Sequence, residues 1–314
     1  MPAIALHAAL AAALLLTQAP LAARHSAARD DSLRARIERR VAEVPGAVVG
    51  VAYRDLAPGR DSLDVAADTT FHAASTMKVP VMIELVRQAE SGSAALDQAV
   101  LLVNQFGSIV DGSPYALDPA DDSDSSMYAR VGQRIPVREL MEHMITRSSN
   151  LATNAVIALV GAARANETAH ALGASRMRVL RGVEDQKAYD AGLNNTTTAR
   201  DLAALMAAIA EDRAASPAGC ALMREVLGRQ EFNGEIPAGL PPGTRVAHKT
   251  GQITGVLHDA AIVYPAGRPP YVLVVLTRGI PDEKVARSLI ADVSRAVYEH
   301  AARGAPTADG HAGR

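Results

Sequence analysis

Ser75-Thr76-Met77-Lys78, which follows Phe71-His72-Ala73-Ala74, reads as the start of a helix that continues to about Ala89. Ser75 and Lys78 stand three residues apart, so they share a helix face and the Lys amino group can reach the Ser hydroxyl. At a first helical turn the backbone N–H groups point outward, where they can stabilise developing negative charge. A serine hydroxyl is a weak nucleophile until a neighbouring base activates it, and a desolvated Lys is such a base. Lysine is scarce: only Lys78, Lys187, Lys249 and Lys284 occur, against 28 arginines. Burial can bring a Lys, unlike an Arg, into a catalytic pKa range, so each of the four needs a reason. Taken alone, the Ser-x-x-Lys pattern also fits a helix cap beside a surface Lys.

On the N-terminal side of this segment, Asp31-Ser32 can cap a helix with Leu33, Ile37 and Val41 on one face, ended by Pro45-Gly46. Ala47 to Tyr53 is a β-rich run, and Pro58-Gly59 turns the chain toward a second strand near Ser62 to Ala66. At the other end, Val256 to Tyr264 and Tyr271 to Thr277 are apolar strands, followed by a helix from about Pro281-Asp282 to Ala302. Between these ends the periodicity is helical: Met77 to Ala89, Val137 to Val160, Ala162 to Leu172 and Thr198 to Ala210. Strands at both termini around a helical middle predict an α/β fold, with one sheet built from both chain ends and an inserted all-α domain. The expected boundaries are 30–70 plus 205–303 for the α/β domain and 71–204 for the all-α domain. Asn104 to Gln133 fits neither pattern and is treated as an insertion. Its run Asp118-Pro-Ala-Asp-Asp-Ser-Asp124 lacks the Gly and distal Glu of an EF-hand and reads as a solvated loop. Residues 304–314, rich in Gly and Ala, read as a flexible tail.

Two further triplets fall in line with the first. Ser148-Ser149-Asn150 begins 73 residues after Ser75, in a helical stretch, and Lys249-Thr250-Gly251 lies 101 residues beyond that, after the β-rich Arg245 to His248. A second hydroxyl near a second amino group can pass a proton to a leaving group. A Lys-Thr-Gly at a strand end offers a cation, a hydroxyl and a position without Cβ where substrate backbone can approach. The three motifs together, on elements of the expected type, resemble the serine β-lactamase and penicillin-binding protein superfamily, and within it the class A β-lactamases. The resemblance covers about residues 32–302 and implies a β-lactamase-like three-layer α/β sandwich. By resemblance, Ser75 is the acylated nucleophile, Lys78 its activating partner and Ser148 the proton shuttle. Asn150 would bind the substrate's amide side chain, Lys249 and Thr250 its carboxylate, with Gly251 completing the motif. The N–H groups of Ser75 and Gln252 would form the oxyanion hole.

A β-lactamase, unlike a penicillin-binding protein, also needs a base that hydrolyses the acyl-enzyme. Class A enzymes carry a Glu for this on a loop before a Thr-rich helix start. Here Arg181-Gly182-Val183-Glu184-Asp185 precedes Thr196-Thr197-Thr198, and Glu184 lies 36 residues after Ser148. Glu184 is the candidate base; the alternative is a loop ion pair of Glu184 or Asp185 with Arg181. Two departures from the family stand out. Lys187-Ala188 replaces a Leu-Asn that follows the Glu, with Leu193-Asn194 occurring later, and Ser149 replaces the Asp of the Ser-Asp-Asn motif. Arg287 resembles a carboxylate-binding Arg of some class A enzymes or is a surface residue; Lys187 and Lys284 read as surface residues. A D,D-peptidase or esterase on the same fold, or a sensor that acylates once, remains the alternative function.

Composition bounds these readings. The 314 residues are 48% apolar and 21% charged with a formal charge of −2, which argues against nucleic-acid binding and against disorder of the main body. The single Cys220 cannot form an intrachain disulfide and reads as a buried small hydrophobe. The nine His show no metal-ligand spacing, and His248 and His258 read as strand packing. No cofactor is implied; the expected partner is a β-lactam, with peptidoglycan-derived peptides as a second candidate, and the expected state is a monomer. Met1 to Ala23 lacks any Asp, Glu, Lys or Arg, and its apolar stretch Ile4 to Leu16 is too short to span a bilayer. It reads as a signal peptide over residues 1–23, an apolar anchor being the alternative, and predicts a periplasmic or secreted protein.

Overall fold

The strand Tyr271–Arg278 is apolar from Tyr271 through Leu276 because both of its faces are covered. Val272, Val274 and Leu276 enter one hydrophobic core; Tyr271, Leu273 and Val275 enter another on the opposite face. This alternation is the two-residue period of a strand, and each such Val or Leu, fully buried, contributes about 1.5–3 kcal/mol. The computed structural model describes residues 32–58 and 61–303. The signal peptide read over 1–23, the tail 304–314 and Gly59 of the predicted turn lie outside the described residues.

In chain order, α1 (Leu33–Ala42), β1 (Val48–Asp55) and β2 (Ser62–Val65) lead to the short strand β3 (Phe71–His72), a 3₁₀ turn (Ala74–Met77) and α2 (Lys78–Glu90). Three short strands follow, β4 (Ala99–Leu101), β5 (Phe106–Gly107) and β6 (Pro114–Tyr115), then β7 (Arg134–Pro136), α3 (Val137–Thr146), α4 (Asn150–Val160) and α5 (Ala162–Ala171). After α6 (Gln186–Asp190) and β8 (Thr196–Thr197) come α7 (Ala199–Ala210), α8 (Pro217–Leu227), β9 (Arg245–Ile253), β10 (Val256–Tyr264), β11 (Tyr271–Arg278) and α9 (Glu283–Arg303). The main sheet is antiparallel with the order β2-β1-β11-β10-β9, so strands from before and after the helical middle build it, as the sequence pattern predicts. The pair β1–β11 runs from Val48 opposite Arg278 to Asp55 opposite Tyr271.

Helices α1 and α9 pack together over one sheet face, with Leu33, Ile37, Leu289, Ile290 and Val293 in their core. The opposite face carries α7, which lies on β1, β10 and β11, and beside it α8 and α2. The residue 204/205 boundary read from the sequence falls inside α7, and one continuous core joins that face to α2–α5. Cys220, in α8, is fully buried.

Two sequence readings need correction. The helical stretch Val137 to Val160 is two helices, α3 and α4, broken where Ser148 adopts φ +58. A left-handed conformation at a residue with a Cβ costs about 1–3 kcal/mol and ends a helix. The acidic run 118–124 is not a uniformly solvated loop, since Asp122 and Asp124 are buried. Asp122 accepts hydrogen bonds from the N–H groups of Asn150 (2.9 Å) and Leu151 (3.0 Å) and from the Tyr128 hydroxyl (3.0 Å). Its charge is thus spent on the start of α4.

Candidate active site

The site lies where the 3₁₀ turn before α2, the start of α4, the loop before α6 and strand β9 converge. Ser75 sits in the 3₁₀ turn, half-buried, one residue after Ala74 at φ +45. Lys78 follows at the head of α2 and is fully buried. Its Nζ donates to the Ser148 carbonyl (2.7 Å), Ser148 Oγ (3.1 Å) and Asn150 Oδ1 (2.9 Å), and none of these three bonds goes to Ser75. Desolvation pulls the Lys78 pKa down to about 7, against the opposing pull of Asp122 and Glu184. Once it gives up one of the three protons that make these bonds, the amine has a free lone pair and is a competent base at neutral pH.

Ser148 owes its position to the break between α3 and α4. Ser149 caps α4, its Oγ accepting from Ala152 N–H at 3.2 Å, a contact worth about 1 kcal/mol. The Asp expected in the motif is absent from position 149, and Asp122, brought in from the insertion, takes the N–H groups of Asn150 and Leu151. Lys249, on β9, is also fully buried and donates to Ser148 Oγ (3.0 Å) and to the Thr250 carbonyl (2.9 Å). Burial, and then the neighbouring Lys78, hold its pKa well below the ordinary lysine value. One hydroxyl oxygen therefore accepts from two amino groups, which uses both of its lone pairs and leaves its own proton to donate elsewhere.

Asn150 links this cluster to the loop. Its Nδ2 donates to Glu184 Oε1 at 2.5 Å while its Oδ1 holds Lys78. Glu184 is exposed as a residue, yet desolvation of its carboxyl at the cleft wall raises its pKa; the Asn150 bond opposes that rise and Asp122 adds to it. Arg181 does not form the alternative ion pair: it donates to the carbonyls of Leu193 and Gly182 and to Asn194 Oδ1. Asn195 closes the loop, accepting from Leu180 and Arg181 N–H and donating to the Arg181 carbonyl.

Strand β9 runs beside the nucleophile. A Cβ at Gly251 would stand 3.1 Å from Thr76 N and 3.2 Å from Ser75 N, a tight fit, and its absence lets the strand lie close to the Ser75 amide. Thr250 is buried next to it. The side chain of Gln252 turns toward α9, donating to Glu283 at 2.7 Å. Arg287 pairs with Glu235 and Glu283 and donates to Gln252 at 3.4 Å, so its guanidinium is engaged at this wall. Lys187 is exposed and pairs with Asp111. His248 and His258 are buried beneath the site, His248 on Asp259 and His258 on the His72 carbonyl. Ser75, Asn150, Glu184 and Gln252 line one cleft of about 720 Å³, a size suited to a small molecule. Among the described residues, no group of three or more His, Cys, Asp or Glu is placed to hold a metal ion.

Sequence reasoning missed Asp122 and the part played by Asp185.

The sheet and the helices around it form the class A β-lactamase fold, as comparison with known proteins shows. A model of the beta-lactamase enzyme family matches residues 32–301; the chain belongs to that family. It is similar to beta-lactamase AST-1 of Nocardia asteroides, at 30% identity over 259 residues, spanning 81% of this chain and 79% of that relative. Among solved structures it resembles PBP-A, with a TM-score of 0.75 and 29% identity over 86% of this chain and 96% of the other. A variant of PBP-A has been solved as an acyl-enzyme complex with penicillin G. An ancestral class A β-lactamase matches with a TM-score of 0.72 and 27% identity, over 85% of this chain and 98% of the other.

Proposed function

We propose that this protein is a serine β-lactamase that opens β-lactam rings through an acyl-enzyme on Ser75. The observation that carries the reading is Ser148 Oγ held at 3.1 and 3.0 Å between two buried lysines, with Asn150 joining one of them to Glu184. Ser75 Oγ attacks the lactam carbonyl carbon as its proton passes to the Lys78 amine. The N–H groups of Ser75 and Gln252 receive the oxyanion. The carbon–nitrogen bond then breaks, and the departing nitrogen takes the Ser148 proton, which the adjacent lysines replace. In the second half, Glu184 takes a proton from water as the water attacks the acyl carbonyl, and Ser75 Oγ leaves with that proton. Lys249 and Thr250 hold the substrate carboxylate, Gly251 lets the substrate lie along β9, and Asn150 binds its amide side chain.

The test is turnover of a chromogenic cephalosporin, followed by intact-mass analysis, for the wild type and Glu184→Ala. The reading requires many turnovers by the wild type and a persistent acyl adduct only in the variant. A stoichiometric, lasting adduct on the wild type would make the protein a penicillin-binding enzyme or sensor. The likeness to PBP-A, and Ala188 in place of the family's Asn, favour that second reading. Peptidoglycan-derived peptides would then be its substrates. The uncharged, apolar stretch over residues 1–23 supports export to the periplasm or medium, and a mass for the exported protein starting near residue 24 would bear this out.

A further inference from the structure

We propose that the hairpin β5–β6 is a clamp that positions Glu184 for deacylation, with Asp185 as its pin. The inference rests on the reading of Glu184 as the deacylating base. Glu184 itself sits at φ +60, a conformation that persists only where neighbours hold it. The residues at −1, +1 and +3 around it all reach this hairpin. Asp185 is 1% exposed, and both of its oxygens are used: Oδ1 accepts from Ser108 Oγ (2.8 Å) and from Ala188 N–H (3.1 Å), and Oδ2 accepts from Ile109 N–H (2.9 Å). Two of these three donors belong to the hairpin's turn. Val183 offers its carbonyl to the Tyr115 hydroxyl at 3.3 Å, and on the other side its N–H and carbonyl are both bound by Asn154 of α4. Lys187 donates to Asp111 (3.0 Å) and Ser113 Oγ (2.6 Å) at the hairpin tip.

The hairpin is firm enough to act as a clamp. Ser108 N–H donates to the Ser113 carbonyl at 2.9 Å, Gly112 N–H to the Ser108 carbonyl at 2.8 Å, and the Phe106 and Tyr115 rings pack at 5.8 Å. No bond of the hairpin reaches Ser75, Lys78 or Ser148, which their own helices and β9 position. Loosening the clamp therefore moves the Glu184 carboxylate, while Lys78 and Ser148 keep the hydrogen bonds between their own elements and feel the motion only through the Asn150 bridge to Glu184. Displacing a catalytic group by about 1 Å can cost on the order of 100-fold in rate.

The experiment compares Asp185→Ala and Ser108→Ala with the wild type, each checked for a native circular dichroism spectrum. Steady-state kcat and kcat/KM for a chromogenic cephalosporin are measured together with the acylated fraction by intact mass. The clamp requires that kcat fall by about 10- to 100-fold in Asp185→Ala, and less in Ser108→Ala, while kcat/KM stays within about threefold and acyl-enzyme accumulates. Added to Glu184→Ala, Asp185→Ala should slow deacylation no further, because it acts through Glu184. If Asp185→Ala does not fold, Ser108→Ala decides alone. Equal losses in kcat and kcat/KM in Ser108→Ala, or no loss in either, overturn the clamp while wild-type turnover stands. A lasting adduct on the wild type overturns the role of Glu184 and the clamp with it.

Discussion

At Lys78 the chemistry depends on removing water from an amine. Burial lowers its pKa to about 7, and the carboxylates of Asp122 and Glu184 keep it from falling further. If the amine is the base for acylation, kcat/KM should rise with pH as Lys78 loses its proton, with an acid limb centred near pH 7. In Asp122→Asn the amine loses a stabilising negative neighbour, its pKa drops, and the limb should move to lower pH. The same substitution takes the charge from the acceptor of the α4 N–H groups and should lower stability by about 1–3 kcal/mol in urea unfolding. A pH profile of cephalosporin turnover at low substrate concentration checks the first part. An unchanged limb in Asp122→Asn would mean that Lys78 does not set it. Because Glu184 is raised above the ordinary carboxyl range, kcat should also fail on the acid side at a higher pH than a solvated Glu would give.

Among the elements, β9 is placed by a missing side chain. Gly251→Ala would push a methyl group against Thr76 Cγ2 at 3.0 Å and the Ser75 and Thr76 amides at 3.1–3.2 Å. The strand or the turn must give way, and the expected loss is about 10- to 100-fold in acylation rate, read by labelling with a fluorescent penicillin. Overpacking of this kind costs about 1–3 kcal/mol in stability, so the variant should still fold. The elements that sequence reading places well are those whose signal is local. The apolar run of β11 and the triplets at Ser75 and Lys249 each report a nearby environment. The break at Ser148 escapes such reading because its left-handed backbone is occupied by Ser, without the Gly that usually marks it. Asp122 escapes for a different reason. An acidic run looks the same in sequence whether water solvates it or one member caps a helix 28 residues away. The hairpin β5–β6 is invisible in the same sense, since two-residue strands carry no periodicity and Asp185 finds Ser108 only in space.

In the molecule as a whole, the sheet is joined to the nucleophile segment by a neutral histidine. His258, on β10, sets Nε2 2.9 Å from the His72 carbonyl, and its Nδ1 lies 2.8 Å from the Leu257 carbonyl and 3.1 Å from Thr277 N–H. Full burial drives its pKa from 6.5 down to about 4. Below pH 6.5 the unfolded chain binds a proton there that the folded chain refuses. Stability should therefore fall as pH drops from 6.5 toward 4, by about 1.4 kcal/mol per unit from this residue. Urea midpoints measured across that range, in the wild type and in His258→Asn, isolate the effect. A slope that persists unchanged in the variant would assign it to other groups.

The pairing of β1 with β11 has a temporal consequence. Val48 and Arg278 are neighbours in the sheet but 230 residues apart along the chain, and Lys249 must arrive at Ser148 from more than 100 residues downstream. A growing chain that ends before β9 contains the nucleophile but neither its second lysine nor the strand that lines it. Contacts of such long range close late and fold slowly. Catalytic competence is thus the last property the polypeptide acquires, after β11 has paired with β1.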